Sequence, residues 1–233
     1  MNETPHLLIA TPSYQGVVAL PYHLSSQEAF TLLGRAGIEV HEAHHFKDGL
    51  IARARMALLN TFISEPQYTH VMWIDNDLAY SWEDIVRLIA VDRDIVCGVY
   101  RKRMDTVSFP CVYMQDPSKP FVLDEKGCIE LKRAPGGFML MKRRAVMKMI
   151  RAYPERRCRI SDGGWFTTNN LNAYDFFPEP VDESGMKQSE DYGFCDLWRQ
   201  AGGQIWCLPD IELDHAGYRG KMSDWLKFEE VAA

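Results

Sequence analysis

The stretch Met72-Trp73-Ile74-Asp75-Asn76-Asp77 carries most of the information about the fold of this chain. Its three apolar residues are typical of a buried strand, and they are followed by two carboxylates separated by one residue. Because side chains alternate along an extended chain, Asp75 and Asp77 point to the same side. Their Cα atoms lie roughly 7 Å apart, which suits one direct ligand to a hard cation and a second acid that reaches a water or a sugar hydroxyl. The alternative is that both acids cap the next helix, but Ser81 and Asp84 already supply that signal.

The segments around this strand alternate between strand and helix periodicity. They lie at residues 6–10 (strand), 26–37 (helix), 38–43 (strand), 49–65 (helix), 82–91 (helix) and 94–100 (strand). This order predicts an α/β fold with a mostly parallel open sheet flanked by helices. Ligands of such sheets bind beyond the carboxyl ends of the strands. We therefore expect Thr11-Pro12-Ser13 and Asp75-Asn76-Asp77 to line one crevice.

The pattern changes in the second part of the chain. Short alternating pieces between residues 107 and 133 predict antiparallel hairpins, and Phe138-Met139-Leu140-Met141 predicts a buried strand. Amphipathic segments at 144–153 and 190–201 predict helices, and residues 204–208 predict a strand. Residues 156–188 lack periodicity and contain Trp165 among other aromatic residues, which favours a mobile functional loop. No linker divides the chain, so we predict a single domain over residues 1–233.

Composition limits the classes of function. The chain has 46% hydrophobic residues, 25% charged residues and a net charge of −6, which is ordinary for a globular protein and argues against nucleic-acid binding through overall charge. Basic runs at 101–103 and 142–159 are interpreted as solvated faces. Six cysteines without a C-x-x-C pair favour free thiols in a reducing compartment. No basic leader or long apolar run is visible, so we expect a cytoplasmic protein without a membrane span.

Several side chains have the chemistry of a metal and acid–base site. Asp77 and His215 are candidate ligands for Mn²⁺ or Mg²⁺, although a single histidine beside Asp214 is more often structural. Glu190 and Asp191 open a helix, where acids favour the helix dipole. Because both follow a polar, aromatic loop, one of them is also a candidate general base.

Two further features suggest contact with a ligand. Gly136-Gly137 permits close approach of the backbone to a ligand, although the pair is equally typical of a simple turn. Arg53 and Arg55 lie two residues apart on a predicted helix and so face different directions. One of them can reach a diphosphate while the other is solvated.

In this order the motifs resemble the GT-A glycosyltransferases, which are nucleotide-sugar-dependent enzymes with a D-x-D motif, and in particular the compact viral and bacterial members. The resemblance spans residues 6–217. It is carried by Thr11-Pro12-Ser13, Arg55, Trp73-Ile74-Asp75-Asn76-Asp77, Gly98-Val99-Tyr100, Gly136-Gly137-Phe138, Ser189-Glu190-Asp191 and Asp214-His215.

The resemblance implies a role for each motif. Residues 1–103 would form a nucleotide-binding half and residues 104–233 an acceptor-side half. The donor would contact Thr11, Pro12, Ser13, Arg55, Asp75, Asn76, Asp77, Gly136 and Gly137, with the 11–13 turn at the nucleoside and Asp75 at the ribose or sugar. Asp77 and His215 would bind the metal, and Asp191, with Glu190 beside it, would be the acceptor-side base. Met56 follows Arg55 where relatives often have asparagine, which weakens the assignment of a phosphate contact there.

The expected function is metal-dependent transfer of a sugar from a nucleoside-diphosphate donor. A UDP-sugar is the first candidate for that donor. The acceptor would be a hydroxyl of a glycan, or of a hydroxylated base in modified DNA held by the basic runs. One alternative is a nucleotidyltransferase, which would usually need a basic, glycine-rich loop after the first strand, and residues 11–16 contain no lysine or arginine. Another alternative is a non-catalytic sugar-binding module.

Overall fold

The computed structural model describes residues 4–160 and 173–229. Its strands are β1 His6–Ser13, β2 Glu39–Phe46, β3 His70–Ile74, β4 Leu78–Ala79, β5 Ile95–Cys97, β6 Val112–Tyr113, β7 Ile129–Arg133, β8 Phe138–Lys142, β9 Arg157–Cys158, β10 Ala173–Tyr174, β11 Ile205–Cys207, β12 Leu213–His215 and β13 Tyr218–Gly220. Its helices are α1 Leu20–Arg35, α2 Ile51–Ser64, α3 Trp82–Val91, α4 Arg143–Ala152 and α5 Glu190–Gln200, with 3₁₀ turns at Pro154–Arg156 and Met222–Asp224.

Eight strands form the central sheet, in the order β2-β1-β3-β8-β5-β11-β7-β6. Strand β1 is parallel to β2 and β3, and β11 is parallel to β5. Strand β8 is antiparallel to both of its neighbours, and so is β7. Six of the eight strands therefore run in one direction, and the predicted mostly parallel α/β sheet is confirmed.

Helices cover both faces of this sheet. Apolar side chains of α2, α4 and α5, such as Phe62, Met149 and Trp198, belong to the core on one face. Side chains of α1 and α3, such as Ala29 and Leu88, belong to the core on the other face. The amphipathic patterns of the sequence are satisfied because each helix buries one stripe against the sheet.

Strand β8 has an unexpected position. Its residues Phe138 to Met141 are at most 2% exposed, as predicted for a buried strand. The strand is inserted between β3 and β5, with Ile74 opposite Phe138 and Cys97 opposite Met139. Because β8 runs against its neighbours, its amino end lies at the edge where β3 and β5 have their carboxyl ends. The segment just before Phe138 is thereby placed at the ligand-binding edge of the sheet.

Small antiparallel units surround this sheet. They are the β6–β7 hairpin at the sheet edge, the three-stranded unit β4-β12-β13 and the pair β9–β10. The predicted hairpin region is confirmed for β6 and β7, whereas Phe121 forms only an isolated bridge with Phe228. Strands from before and after residue 103 share one sheet, and the division into a nucleotide-binding and an acceptor-side half stays a prediction.

The expected start of one helix was wrong, and a described part of the expected mobile loop is packed into the core. Helix α1 begins at Leu20, six residues before Ser26, because Pro21 fits the first helical turn and Tyr22 continues the buried stripe. In the predicted mobile loop, Phe176 and Phe177 are buried, and Phe177 stacks on Phe194 with ring centroids 5.3 Å apart. Because these large apolar rings pack in the core beside helix α5, this part of the predicted loop is held in place. Residues 161–172 of the predicted loop, which include Trp165, lie outside the described residues.

The predicted cap of α3 and the predicted free thiols are confirmed. The Ser81 hydroxyl caps α3 by accepting a hydrogen bond from the Glu83 amide at 3.2 Å. All six cysteines are free thiols, and four of them are buried. In residues 4–160 and 173–229, no helix is long and apolar enough to cross a membrane.

Two helical glycines allow a matched test of packing. A Cβ at Gly193 in α5 would lie 1.8 Å from the Pro178 carbonyl oxygen, whereas a Cβ at Gly34 in α1 would have no neighbour within 4 Å. We expect Gly193→Ala to lower the free energy of unfolding by about 2–3 kcal/mol, because backbone must move. Gly34→Ala should leave it unchanged or raise it by up to about 1 kcal/mol. Urea denaturation measures both, and equal stability of the two variants would contradict the close α5 contact.

Candidate functional site

A cleft of about 580 Å³ opens at the carboxyl edge of the sheet. Residues from the ends of β1 and β3, from the start of α2 and α5, and from β12 line it. Of the residues predicted to form the site, the following nine line the cleft: Pro12, Ser13, Arg55, Asp75, Asn76, Asp77, Glu190, Asp191 and His215. The tertiary structure thus brings together residues that are up to about 200 positions apart in sequence.

Thr11 does not line the cleft, in contrast to its predicted contact with the donor. Strand β1 continues to Ser13 instead of turning after Ala10, so Thr11 is fully buried. Its Oγ1 lies 2.7 Å from the Tyr22 hydroxyl, which donates a hydrogen bond of 2.6 Å to Glu42. Thr11 therefore joins β1 to α1 and β2 behind the cleft wall.

Gly136 and Gly137 also lie behind the wall, and they make room for two of the acids. A Cβ at Gly136 would lie 2.5 Å from Asp191 Oδ1, and one at Gly137 would lie 2.3 Å from Asp75 Oδ2. Real Cβ atoms do not come this close to another heavy atom. The glycine pair thus has a use beyond a simple turn, which is to let carboxylates pack against the backbone.

Arg55 is the electrostatic centre of the site. It is 2% exposed, and its guanidinium lies 3.2 Å from Glu190, 3.3 Å from Asp191 and 3.4 Å from Asp75. Burial alone lowers the pKa of an arginine, but the three carboxylates outweigh burial and leave the pKa of Arg55 above its ordinary value. Arg55 is therefore a permanent cation that holds α2, β3 and α5 together.

The two acids at the start of α5 differ in environment. Burial raises the pKa of Glu190, and the nearby Asp191 raises it further, while Arg55 acts in the opposite direction. Within the described part of the chain, Asp191 Oδ1 is buried and accepts no hydrogen bond. The Ser189 side chain caps the helix by accepting from the Tyr192 amide. The cap and Arg55 fix both acids at the cleft.

Asp77 and His215 face each other, with Arg103 between them. His215 Nε2 lies 3.7 Å from Asp77 Oδ1 and accepts a hydrogen bond of 2.9 Å from Arg103 Nε, and Arg103 also forms an ion pair with Asp77. His215 Nδ1 lies 3.1 Å from the Arg101 carbonyl oxygen, so the tautomer with the proton on Nδ1 satisfies both contacts. Burial lowers the pKa of His215, which favours the neutral ring. A carboxylate and an imidazole lone pair therefore converge on a position that already attracts a cation.

Asn76 has a structural contact. Its side-chain Nδ2 donates a hydrogen bond of 2.8 Å to the backbone carbonyl oxygen of Val17. Its backbone carbonyl oxygen accepts a hydrogen bond of 2.8 Å from the Ala19 amide. These bonds tie the loop after β1 to the end of β3. Asp75, Asn76 and Asp77 thus share one rigid loop but contact different partners.

Eight residues that line the cleft are not among the site residues predicted from the sequence. The residues missed are Tyr14, Gln15, Val17, Asp48, Gly49, Ile51, Ala54 and Arg103. Arg103 belongs to the basic run 101–103, which the sequence predicts to be solvated, and nothing local in the sequence distinguishes it from Lys102. Tyr14 is 64% exposed directly after Ser13, and an exposed aromatic residue at the end of a parallel strand was the available signal.

The cleft carries an excess of negative charge. Five carboxylates line it, those of Asp48, Asp75, Asp77, Glu190 and Asp191, against two guanidinium groups. Both guanidinium groups already form ion pairs with these acids. The cleft by itself therefore disfavours an anionic ligand.

Comparisons with known proteins support the fold. No family model matches the chain, and no curated protein matches it. The crystal structure of A197 from STIV is similar over 99% of this chain and 97% of that one, with a TM-score of 0.55 and 15% identity. That likeness shows a shared fold. A glycosyltransferase involved in glycosylation of the major capsid of PBCV-1 overlaps with 72% of this chain and 72% of its own, at 10% identity and a TM-score of 0.37, which is too loose to bear on chemistry.

Arg53 and Arg55 offer a matched test of the buried cation. Arg55→Gln leaves three carboxylates without their counter-ion, so we expect the free energy of unfolding to fall by about 3–5 kcal/mol at pH 8. Arg53 is 38% exposed and pairs with only one acid, the buried Asp48, so Arg53→Gln should cost less, about 2 kcal/mol.

The effect of Arg55→Gln should depend on pH. Arg55 opposes the rise that burial causes in the pKa of Glu190, so without the guanidinium the pKa of Glu190 in the folded state rises further above its value in the unfolded state. Such groups stabilise the fold when protonated, and that stability is lost as pH rises. The difference between wild type and Arg55→Gln should therefore narrow from pH 8 to pH 5 in urea denaturation. A pH-independent difference would contradict this electrostatic role.

Proposed function

We propose that this protein is a glycosyltransferase that uses a divalent cation to transfer a sugar from a nucleoside-diphosphate donor, in the first place a UDP-sugar, to an acceptor hydroxyl. One observation carries the proposal. Asp75 and Asp77 follow the central strand β3 and share one cleft with His215 and the pair Glu190-Asp191. The acceptor is a glycan or a hydroxylated base in nucleic acid.

The charge of the cleft supports a cation in the reaction. Five carboxylates and two arginines that are already paired disfavour a diphosphate unless a cation neutralises part of the negative charge. Asp77 and the Nε2 lone pair of His215 fit Mn²⁺ or Mg²⁺, with remaining positions left for water and phosphate oxygens. When bound, the cation would neutralise the charge that develops on the departing diphosphate.

The residues of the chain would divide the other tasks. The exposed ring of Tyr14 offers a stacking surface to the nucleobase at the end of β1. The carboxylate of Asp75 accepts hydrogen bonds from ribose or sugar hydroxyls. Arg55, predicted to contact the donor, lines the cleft and is assigned a positioning role, because its guanidinium is already paired with Asp75 and Asp191.

Asp191 is the proposed general base. The acceptor oxygen forms a bond to the anomeric carbon while the bond from that carbon to the diphosphate oxygen breaks. The acceptor proton passes to the Asp191 carboxylate, and the nucleoside diphosphate leaves with the bonding electrons. Burial and the neighbouring Asp191 raise the pKa of Glu190, whose carboxylate is paired with Arg55 at 3.2 Å.

The most informative experiment is a thermal-shift panel of nucleotide sugars with and without Mn²⁺, for wild type and Asp77→Asn. A matched donor should raise the melting temperature only when Mn²⁺ is present, and Asp77→Asn should abolish that increase and the transfer activity. Asp92→Asn is the control, since Asp92 caps α3 at the other end of the sheet. A shift with nucleoside triphosphates and sugar phosphates alone would indicate a nucleotidyltransferase, and full activity of Asp77→Asn would refute the metal assignment.

Asp191→Asn separates binding from chemistry. We expect kcat to fall by about 10²–10⁴-fold, because the acceptor proton loses its base, while the donor-induced thermal shift is retained. Asp196→Asn, on the same helix but paired with Arg133, serves as the control and should keep its turnover. Unchanged turnover of Asp191→Asn would remove it as the base.

Arg103→Ala tests whether the guanidinium competes with the metal. Because Arg103 pairs with both proposed ligands, its removal should tighten Mn²⁺ binding by about threefold to tenfold, measured as free Mn²⁺ by electron paramagnetic resonance. Lys102→Ala removes the same charge from an exposed neighbour and should change the affinity by less than about twofold. Equal effects of the two variants would mean that only overall charge matters.

A further inference from the structure

Three potential metal ligands lie together at the other end of β1. His6 opens β1 and stands opposite Glu39 in the parallel register with β2. His41 follows two residues after Glu39 and so points to the same face of the sheet. His6 Nε2 forms an ion pair with Glu39, and His41 Nε2 lies 3.1 Å from the other Glu39 oxygen. The three ligand atoms are all within 4.8 Å of one another, and no other such group of three or more His, Cys, Asp or Glu residues occurs among residues 4–160 and 173–229.

The imidazoles are held in place by neighbouring groups. His6 Nδ1 lies 3.0 Å from the Gln67 carbonyl oxygen. Nδ1 can donate its proton to that oxygen in either charge state of the ring, and Nε2, which binds Glu39 through a proton in the metal-free chain, would present its lone pair to a metal ion once that proton is lost. Such a second bond is the usual way in which proteins orient a metal-binding histidine. The ring of Tyr68 contacts both imidazoles, with centroids 6.3 Å from His6 and 5.5 Å from His41.

Tyr68 gives these rings a rigid support. It is 7% exposed and stacks on Phe62 of α2, with ring centroids 6.4 Å apart. The side chains of His6, Glu39 and His41 remain 22%, 58% and 47% exposed, so an ion can reach them from solvent. The imidazole rings therefore pack against a buried support on one side and are accessible to solvent on the other.

The group is separate from the cleft. Ser13, which lines the cleft, lies seven residues further along β1, and at 3.3 Å per residue the two positions are roughly 23 Å apart. The cleft and the histidine group thus occupy opposite ends of the same strand. Nothing in the proposed transfer reaction uses His6, Glu39 or His41.

We propose that His6, Glu39 and His41 bind one late first-row divalent metal ion, Zn²⁺ in the first place, which joins the edge strand β2 to β1. Two imidazoles and one carboxylate are the ligand types of Zn²⁺ sites, whereas Mg²⁺ and Ca²⁺ prefer oxygen ligands throughout. Ligands of tetrahedral zinc lie roughly 3.3 Å apart, so small side-chain rotations close the present spacing around the ion. A water molecule completes the coordination.

The ion would act on stability. It would link residues at positions 6 and 39, which enclose the whole of α1, at the exposed edge of the sheet. Because the ligands are apart in the unfolded chain, Zn²⁺ would bind the folded state preferentially and stabilise it by mass action.

The test uses ZnCl₂ as the only probe and the Asp77→Asn chain as background, so that the cleft does not compete for zinc. Isothermal titration should give one bound Zn²⁺ per chain, and zinc should raise the melting temperature by several degrees. Adding His41→Ala should weaken zinc binding at least tenfold and remove the thermal shift. Adding His23→Ala, which changes an exposed histidine on α1, should leave both unchanged.

Two further measurements distinguish loss of a zinc ligand from misfolding of the His41→Ala variant. Glu39→Gln, at a more exposed position, should weaken zinc binding as His41→Ala does. In the Asp77→Asn chain, one equivalent of Zn²⁺ should shift the nuclear magnetic resonance signals of the His6 and His41 rings and leave the signal of the His23 ring unchanged. Zinc binding that survives His41→Ala and Glu39→Gln, or an absence of zinc-induced shifts at His6 and His41, would overturn the proposal.

Discussion

The contact between Arg55 and its three carboxylates is the constraint on which the rest of the site depends. A guanidinium that is 2% exposed can be kept charged in the interior only because Asp75, Glu190 and Asp191 surround it, and those acids can lie so close together only because Arg55 separates them. The contact joins the helix before the central strand, the loop after that strand and the start of the last helix. Gly136 and Gly137 complete it, since any side chain there would displace the carboxylates.

The reversed strand β8 explains why this contact is at the carboxyl edge of the sheet. In a sheet with only parallel strands, the segment before a strand lies at the opposite edge from the ligand. Because β8 runs against β3 and β5, the glycine pair before it meets the ends of both strands. One reversed strand thereby supplies the backbone floor under the acids, and α5 supplies two of the acids themselves.

The charge of the cleft connects this architecture with the proposed chemistry. Arg55 is fully occupied by acids, and Arg103 lies between Asp77 and His215, where a divalent ion would also bind. The proposed metal position is therefore the one that the Arg103 guanidinium occupies in the structure. In the proposed reaction, binding of the metal would release Arg103 from Asp77 and His215. The released guanidinium would then be available to a phosphate group. The separate histidine group at the other end of β1 would act on the stability of the sheet edge, independently of the cleft.

A large part of the fold and some of the site could be predicted from the sequence. Apolar periodicity depends on residues that are neighbours in the chain, so it indicated most helices, the central strand and the common side of Asp75 and Asp77. Parallel topology then placed Ser13 and Asp77 at one edge. The start of α1 was missed because Pro21 has the same local signature in a loop as in a first helical turn.

The sequence by itself determined the alternation of elements and the presence of acids after the third strand. Only the tertiary structure decided that β8 enters the sheet in reverse, that Arg55 is buried among acids up to 136 residues away, and that Arg103 meets His215 across 112 residues. Lys102 and Arg103 have the same local pattern, and only one of them reaches the cleft. The physical reason is that strand order and charge pairing are set by packing between distant segments, which leaves no local periodicity in the chain.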